Sequence, residues 1–353
     1  MSEFLRHVLK DKMPDSTEIE LHLFEFCNLS CAFCGQDHDS TEGMNTIEEK
    51  ALQVTDFMKK SNMNSHIVNI MGGEIFNDLV PDDTFESYIK FYNIINSWCD
   101  ENNHTVRFNW VTNLIFLKIQ RIKDFINTLR AIKPNSYIST SYDFAGRGLN
   151  LNRTLQFEHN IKSFKDIITV VGFVLTKQAI KRILTKTDKF FKDYLYENYT
   201  LYFDYYVPEA NAEKMMPTEY EMLDCMLFIA KNYPEIYPIK DLIVNERNKM
   251  TCYSMNKTTI LPSGKEVTCR YMDYEPISFI NKIDYKSNSN IIQSHLDRNQ
   301  CLSCKWFDRC QFRCFVQADW AKLERTQDCL FREFFNRMES ENLLQYGSNN
   351  KTN

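Results

Sequence analysis

Three cysteines stand close together near the start of the chain, in the order Cys27-Asn28-Leu29-Ser30-Cys31-Ala32-Phe33-Cys34. Three thiolates at this spacing can ligate three irons of one [4Fe–4S] cube, and no fourth cysteine lies nearby to take the last iron. An iron without a protein ligand can accept an outside chelate that offers an amine and a carboxylate. Zinc is the competing reading, since it takes four ligands and His22 or His38 could complete the set. Further on, Met71-Gly72-Gly73-Glu74 sets a carboxylate suited to an ammonium beside two glycines, which let a ligand come close to the backbone. A second group of cysteines follows: Cys252, Cys269, then Cys301-x2-Cys304-x5-Cys310-x3-Cys314, and finally Cys329, with Gly264 between the first two. Zinc ribbons are the plainer alternative for this group. Cys99 and Cys225 fall in helical patterns and read as buried free thiols.

The rest of the composition narrows the setting. The chain has 353 residues and 12 cysteines, and residues 1–12 are charged with no apolar signal core. Such a chain is neither small nor visibly secreted, so clustered cysteines point to metal or redox chemistry rather than to disulfides. A net charge of −5 offers no basic face for nucleic acid. No run of 18 apolar residues is present to span a membrane, and a cytoplasmic location is the expectation.

These residues must be positioned by something, and the hydrophobic pattern says what. Residues 19–26 alternate as a strand that ends on the first cysteine. A helix is predicted over 47–60, a strand over 66–71, a helix over 84–98 and a strand over 105–111. Then come a helix over 118–131, a strand over 136–141, an uninterrupted apolar strand over 167–175, a helix over 178–194 and a strand over 200–205. Alternating strands and helices argue for parallel βα units. Six units fit, which makes an α/β fold with a partial (β/α)6 TIM-like barrel to about residue 210. A helical bridge is expected over 211–250, with its helix at 217–233, and a small cysteine-rich domain over 251–353. That domain holds a hairpin, 258–261 and 266–270, turning at Gly264, and a helical tail at about 317–344.

Cys-x3-Cys-x-aromatic-Cys after the first strand, with Phe33 in the aromatic slot, resembles the signature of the radical S-adenosylmethionine (SAM) enzymes. The Gly-Gly-Glu at the end of the next strand resembles the motif by which that family holds the methionine amine. Thr112-Asn113 and Ser141-Tyr142-Asp143 resemble motifs at the ends of its third and fourth strands, the serine commonly meeting the ribose. Arg153 matches a basic residue that follows. The family often has glycine where Leu114 and Phe144 stand, so the turns there are expected to differ. The seven later cysteines resemble the SPASM domain, which carries two auxiliary [4Fe–4S] clusters. The resemblance assigns Cys301, Cys304, Cys310 and Cys329 to a fully ligated distal cluster. It assigns Cys252, Cys269 and Cys314 to a proximal one, with Glu246 where some relatives supply a fourth cysteine.

The resemblance implies three clusters, SAM as co-substrate, and a flavodoxin- or ferredoxin-type electron donor. It also implies generation of a 5′-deoxyadenosyl radical for oxidative crosslinking or dehydrogenation of a peptide or protein side chain. In sulfatase-maturating members an Asp after the second hairpin cysteine acts as base. Arg270 stands there, with Asp273 three residues on, which argues against formylglycine formation. With fewer than 20 residues before the first strand, a leader peptide would be read by a separate recognition protein, or the target directly. Modification of a small molecule or nucleotide is the alternative. A catalytically silent electron carrier is a further one, opposed by the intact Cys27, Cys31, Cys34 and Glu74.

Overall fold

The computed structural model describes residues 7, 9, 14–143, 146–207, 212–245, 256–267, 288–312 and 329–344. Contacts divide the chain into two compact units, one of residues 14–171 and 255–274, the other of 1–13, 172–254 and 275–353.

The first unit alternates strand and helix in the predicted order. It runs β1 (Thr17–His22), α1 (Ile47–Lys60), β2 (Ser65–Met71), α2 (Asp82–Glu101), β3 (Thr105–Thr112), α3 (Ile119–Ile132), β4 (Ser136–Ser141) and α4 (Leu151–Ser163), then enters β5 (Ile168–Leu175). β1 pairs with β2, β2 with β3 and β3 with β4, all parallel; Thr17 faces His66, Ser65 faces Thr105 and Phe108 faces Ser136. Outside β1 lies the hairpin of β7 (Lys257–Ile260) and β8 (Glu266–Val267). β7 is parallel to β1, and the order is β5-β4-β3-β2-β1-β7-β8. Gln53 of α1 fixes the hairpin turn by donating to Gly264 O at 2.9 Å.

Strand alternation sends side chains to two unlike faces. Ile19, Leu21, Val68, Ile70, Phe108, Trp110 and Ile138 are all fully buried. On this face Trp110 stacks with Phe76 and meets Tyr88 of α2 and Phe125 of α3, while Tyr92 of α2 lies 4.7 Å from Phe108. The other face is polar. Lys257 reaches Glu20 at 2.8 Å and Glu18 at 3.5 Å, Thr259 donates to Glu20, Asn69 to Glu18, and Asn109 to Asn69. TIM-barrel interiors are filled chiefly by branched apolar side chains, so this hydrogen-bonded row across four strands is a departure.

The second unit continues with the later half of β5 and with β6 (Thr200–Tyr205) beside it, then α5 (Lys177–Thr185), α6 (Glu219–Asn232), α7 (Ile239–Val244), α8 (Asn288–Arg298) and α9 (Leu330–Ser340). The helix α6 starts in a capping box formed by Thr218 and Glu221. Buried Arg309 donates to Leu242 O and Ile243 O, capping carbonyls at the end of α7 that the helix leaves open.

Several expected boundaries shift. The helix expected over 178–194 stops at Thr185, where Lys186 turns left-handed at φ 53°, and a π turn at Phe191–Leu195 follows. The ladder of β1 ends at His22 rather than at 26. The helices α4, α7 and α8 were not expected; α4 buries only Phe157, Asn160 and Ile161, too sparse a stripe to register. Residues 268–270 of the expected hairpin and 317–328 of the expected tail lie outside the described residues, as do Cys252, Cys269 and Cys314.

Buried His66 carries a pH dependence. His66 Nε2 lies 2.8 Å from His104 Nδ1, and the rings stack 5.1 Å apart. Burial first, and His104 second, hold His66 down to about 4. The unfolded chain therefore takes up a proton between about 6.5 and 4 that the folded chain refuses. Stability should be full above that window and fall through it, by at most about 3 kcal/mol. His66→Leu should flatten the fall, as measured by denaturant unfolding at pH 7, 5.5 and 4.5.

Candidate active site

The three cysteines of the first cluster sit in the loop that leaves β1, at the same end of the sheet as the Gly-Gly-Glu. Beyond β1 the chain stays hydrogen-bonded to the end of β2: Leu23 N donates to Met71 O at 2.8 Å, Gly73 N to Phe24 O at 2.7 Å, and Glu74 N to Phe26 O at 2.8 Å. This approach explains the glycines. A Cβ on Gly72 would stand 2.6 Å from Phe24 O, and one on Gly73 2.2 Å from both Glu25 O and Phe26 O. The close neighbour is the protein's own chain, arriving at Cys27.

Glu74 is fully buried. Its Oε1 accepts from Phe76 N at 2.9 Å and Thr112 Oγ1 at 2.7 Å, and its Oε2 from Asn113 N at 2.5 Å. Burial still pushes its pKa up, against the pull of those three donors and of Arg147. The carboxylate thus has partners within the chain, tying the end of β2 to the end of β3.

Asn113 is the hub. Its Nδ2 donates to Asn28 Oδ1 at 2.8 Å and lies 3.9 Å from Cys27 Sγ, its Oδ1 accepts from Ile115 N, and its carbonyl accepts from Arg147 at 3.0 Å. Leu29 N points at Cys27 Sγ at 3.4 Å. Leu114, where the turn was expected to differ, adopts φ 58°, the left-handed conformation a glycine would take. Its N–H meets Thr112 Oγ1, and its carbonyl meets Asn160 Nδ2 of α4 at 2.8 Å.

Ser141 donates to Asp143 Oδ2 at 2.7 Å, and Arg147 reaches Ser141 Oγ at 2.7 Å and Asp143 Oδ2 at 3.3 Å. Both members of the ion pair are buried. Arg153 is elsewhere: it is exposed in the first turn of α4, where its backbone N–H is capped by Asn150. Arg147 is the residue of this network that sequence reasoning missed. Its signal was the spacing, four residues after Asp143 between Gly146 and Gly148. The ring of Phe33 packs on Gly146, where a Cβ would lie 2.8 Å from the ring. Phe144 is outside the described residues.

Among the described residues no three His, Cys, Asp or Glu side chains converge on one metal-ion position. Cys27, Cys31 and Cys34 are each half-buried. Burial raises the Cys27 thiol to about 11, with Glu74 and Cys34 adding to it; burial raises Cys31 to about 12, partly offset by Arg147. Free, these two hold their protons at neutral pH, so ligation must release them.

In the second unit Cys301, Cys304, Cys310 and Cys329 line one cavity, walled by Trp306, Phe307, Phe312, Phe331 and Phe335. Tight turns present them: Cys304 N bonds Cys301 O at 3.0 Å, and Cys310 N bonds Trp306 O at 2.8 Å. Cys329 sits at the N-cap of α9.

The eight-stranded sheet, with its thiol loop after β1, has a fold shared with solved structures. Among solved structures, the chain is similar to anSMEcpe. The native form with bound AdoMet and Cp18Cys peptide has a TM-score of 0.63 at 16% identity, covering 92% of this chain and 97% of that one. The native and hexahistidine-tagged forms with bound AdoMet each have a TM-score of 0.62 at the same identity and coverage. No protein-family model and no curated protein matches the sequence. No helix among the described residues is long and apolar enough to cross a membrane.

Removing the Glu74 carboxylate should cost more than ligand contact alone. Glu74→Ala leaves three buried donors unpaired, each worth about 1–3 kcal/mol. The cluster-free chain should lose at least about 3 kcal/mol of stability, and Glu74→Gln distinctly less. Equal unfolding midpoints for wild type and Glu74→Ala would show that the link between β2 and β3 is dispensable.

Proposed function

We propose that this chain is a radical SAM enzyme that oxidatively modifies a side chain of a peptide or protein. The observation that carries the reading is the thiol loop of Cys27, Cys31 and Cys34, held against Gly72-Gly73 in a fold shared with a protein that has been seen with both AdoMet and a peptide bound. When bound, the cluster and SAM supply a primary carbon radical able to take a hydrogen atom from an unactivated carbon.

The chain's own residues hold and orient. Cys27, Cys31 and Cys34 would hold the cluster. The Asn113 amide and the Leu29 N–H stand beside the Cys27 sulfur. Ser141, kept in place by Asp143 and Arg147, would hold the ribose of SAM, and Gly72, Gly73 and Glu74 would hold its methionine end. Phe33, packed on Gly146, closes the loop over the site. Arg147 sets one positive charge near the Cys27 and Cys31 thiols, favouring their ligating form.

The four-cysteine cavity of the second unit suits the distal auxiliary cluster, its aromatic wall keeping water away. Cys252, Cys269 and Cys314 would hold the proximal one. Closing a crosslink or forming a double bond removes a hydrogen atom, then one electron and one proton, from the substrate. Auxiliary clusters, if held by these cysteines, would supply an acceptor for that electron. The polar row of Glu18, Glu20, Asn69, Asn109 and Lys257 gives a peptide a hydrogen-bonding surface on the same unit as the thiol loop.

Anaerobically reconstituted protein should hold about twelve irons, from three four-iron clusters. Reduced protein with SAM should release 5′-deoxyadenosine. The Cys301→Ala, Cys304→Ala variant should keep that release and lose product, scored as the two-mass-unit loss in a candidate peptide. Zinc in place of iron would refute the assignment. Cofactor cleavage stimulated by a nucleotide or metabolite, and by no peptide, would refute the substrate class.

A further inference from the structure

Lys50 lies in the first turn of α1 and is fully buried, with 1% of its surface exposed. Burial and the helix N-terminus both oppose a cation there. Burial pulls its pKa down to about 8, against the opposing pull of Glu42 and of neighbouring Glu49. A helix N-terminus disfavours positive charge. Among the described residues no carboxylate lies within ion-pair distance of its Nζ. A side chain retained against those costs makes an interaction worth them.

That interaction is threefold. Lys50 Nζ donates to Thr46 Oγ1 at 2.9 Å, to Gly43 O at 3.2 Å and to Leu23 O at 3.4 Å. Leu23 is where the chain leaves β1 for Cys27, and Gly43 and Thr46 are where it returns to α1 after Cys34. One ammonium therefore grips both ends of the segment that carries all three cysteines. The ends are in contact as well. Gly43 sits at φ 90°, and a Cβ there would stand 2.2 Å from Leu23 O, 2.7 Å from Lys50 Nζ and 2.8 Å from Pro262 O. Closing a flexible loop of this length costs entropy that Lys50 offsets.

We infer that Lys50 is a positioning residue for the thiol loop, stapling its two ends so that Cys27, Cys31 and Cys34 face one cluster. The inference rests on the proposed function for the role of the loop, and its test separates the two. In the full chain without cluster, hydrogen exchange should quicken on the order of tenfold in peptides covering 24–45 when Lys50 becomes Met, with β2 and β3 unchanged. Lys50→Arg, which keeps charge and donors, should restore part of the protection. In the reconstituted chain, Lys50→Met should lose the change that SAM causes in the electron paramagnetic resonance spectrum of the reduced cluster.

Wild-type exchange and a wild-type spectral response in Lys50→Met would overturn the inference. Quickened exchange with an unchanged spectral response would also overturn it, leaving Lys50 a residue of the fold alone. Should Lys50→Met fail to fold, Thr46→Ala removes one of the three acceptors. It should move both readouts the same way by a smaller amount, and no movement would be equally fatal. A wild-type chain that takes up no iron would sink the functional reading while leaving the exchange measurement to judge the staple.

Discussion

The site depends on one close approach of backbone to backbone. Residues 24–26 lie against residues 72–74 so tightly that neither Gly72 nor Gly73 has room for a Cβ. That contact delivers Cys27 to a fixed place at the end of the sheet. It also buries Glu74, whose carboxylate then has to be satisfied inside the protein. Thr112 and Asn113 satisfy it, which ties β3 to β2. Asn113 in turn meets Asn28 beside the first cysteine and Arg147 beyond β4. Strands β1 to β4 thus contribute to one connected network, and its rigidity comes from hydrogen bonds the chain makes with itself. Such a network holds its geometry before any ligand arrives.

What was legible in the sequence was local. The α1 and β6 boundaries coincide with the hydrophobic pattern because each element buries one regular face. The cysteine spacings spoke for themselves because ligation is a matter of residue type and distance along the chain. What stayed hidden was pairing across the fold. Gly-Gly-Glu reads from sequence as a ligand cradle, and only the structure shows that the first thing cradled is the chain at residues 24–26. Arg153 and Arg147 have equal standing in a string of letters. Burial beside Asp143 and Ser141 is what separates them. The overlong strand prediction at 19–26 has a physical cause too: the segment is still extended and still bonded to residues 71–74, but no longer as a regular ladder.

The hairpin of β7 and β8 was read as part of the cysteine-rich region, yet its strands extend the sheet beside β1. Lys257 and Thr259 complete the polar row begun by Glu18 and Glu20. One surface of the sheet is therefore assembled from segments far apart in sequence, with the hairpin supplying the Lys257 ammonium. Neither strand pattern shows this alone, because a half-buried lysine and a half-buried glutamate each look like solvent-facing residues until they are placed side by side.

Leu114 shows how a turn can outlive the residue that would make it easy. A left-handed backbone costs a leucine on the order of 1 kcal/mol that glycine avoids. Here the hydroxyl of Thr112 and the amide of Asn160 take up its polar groups, and its side chain is wholly enclosed. The shape of the corner is held by its surroundings. Two chains can therefore differ at such a corner and still trace the same path, so that a search by letters diverges where a comparison of backbones agrees. A glycine lost from a signature is, on that account, poor evidence that the bend has gone.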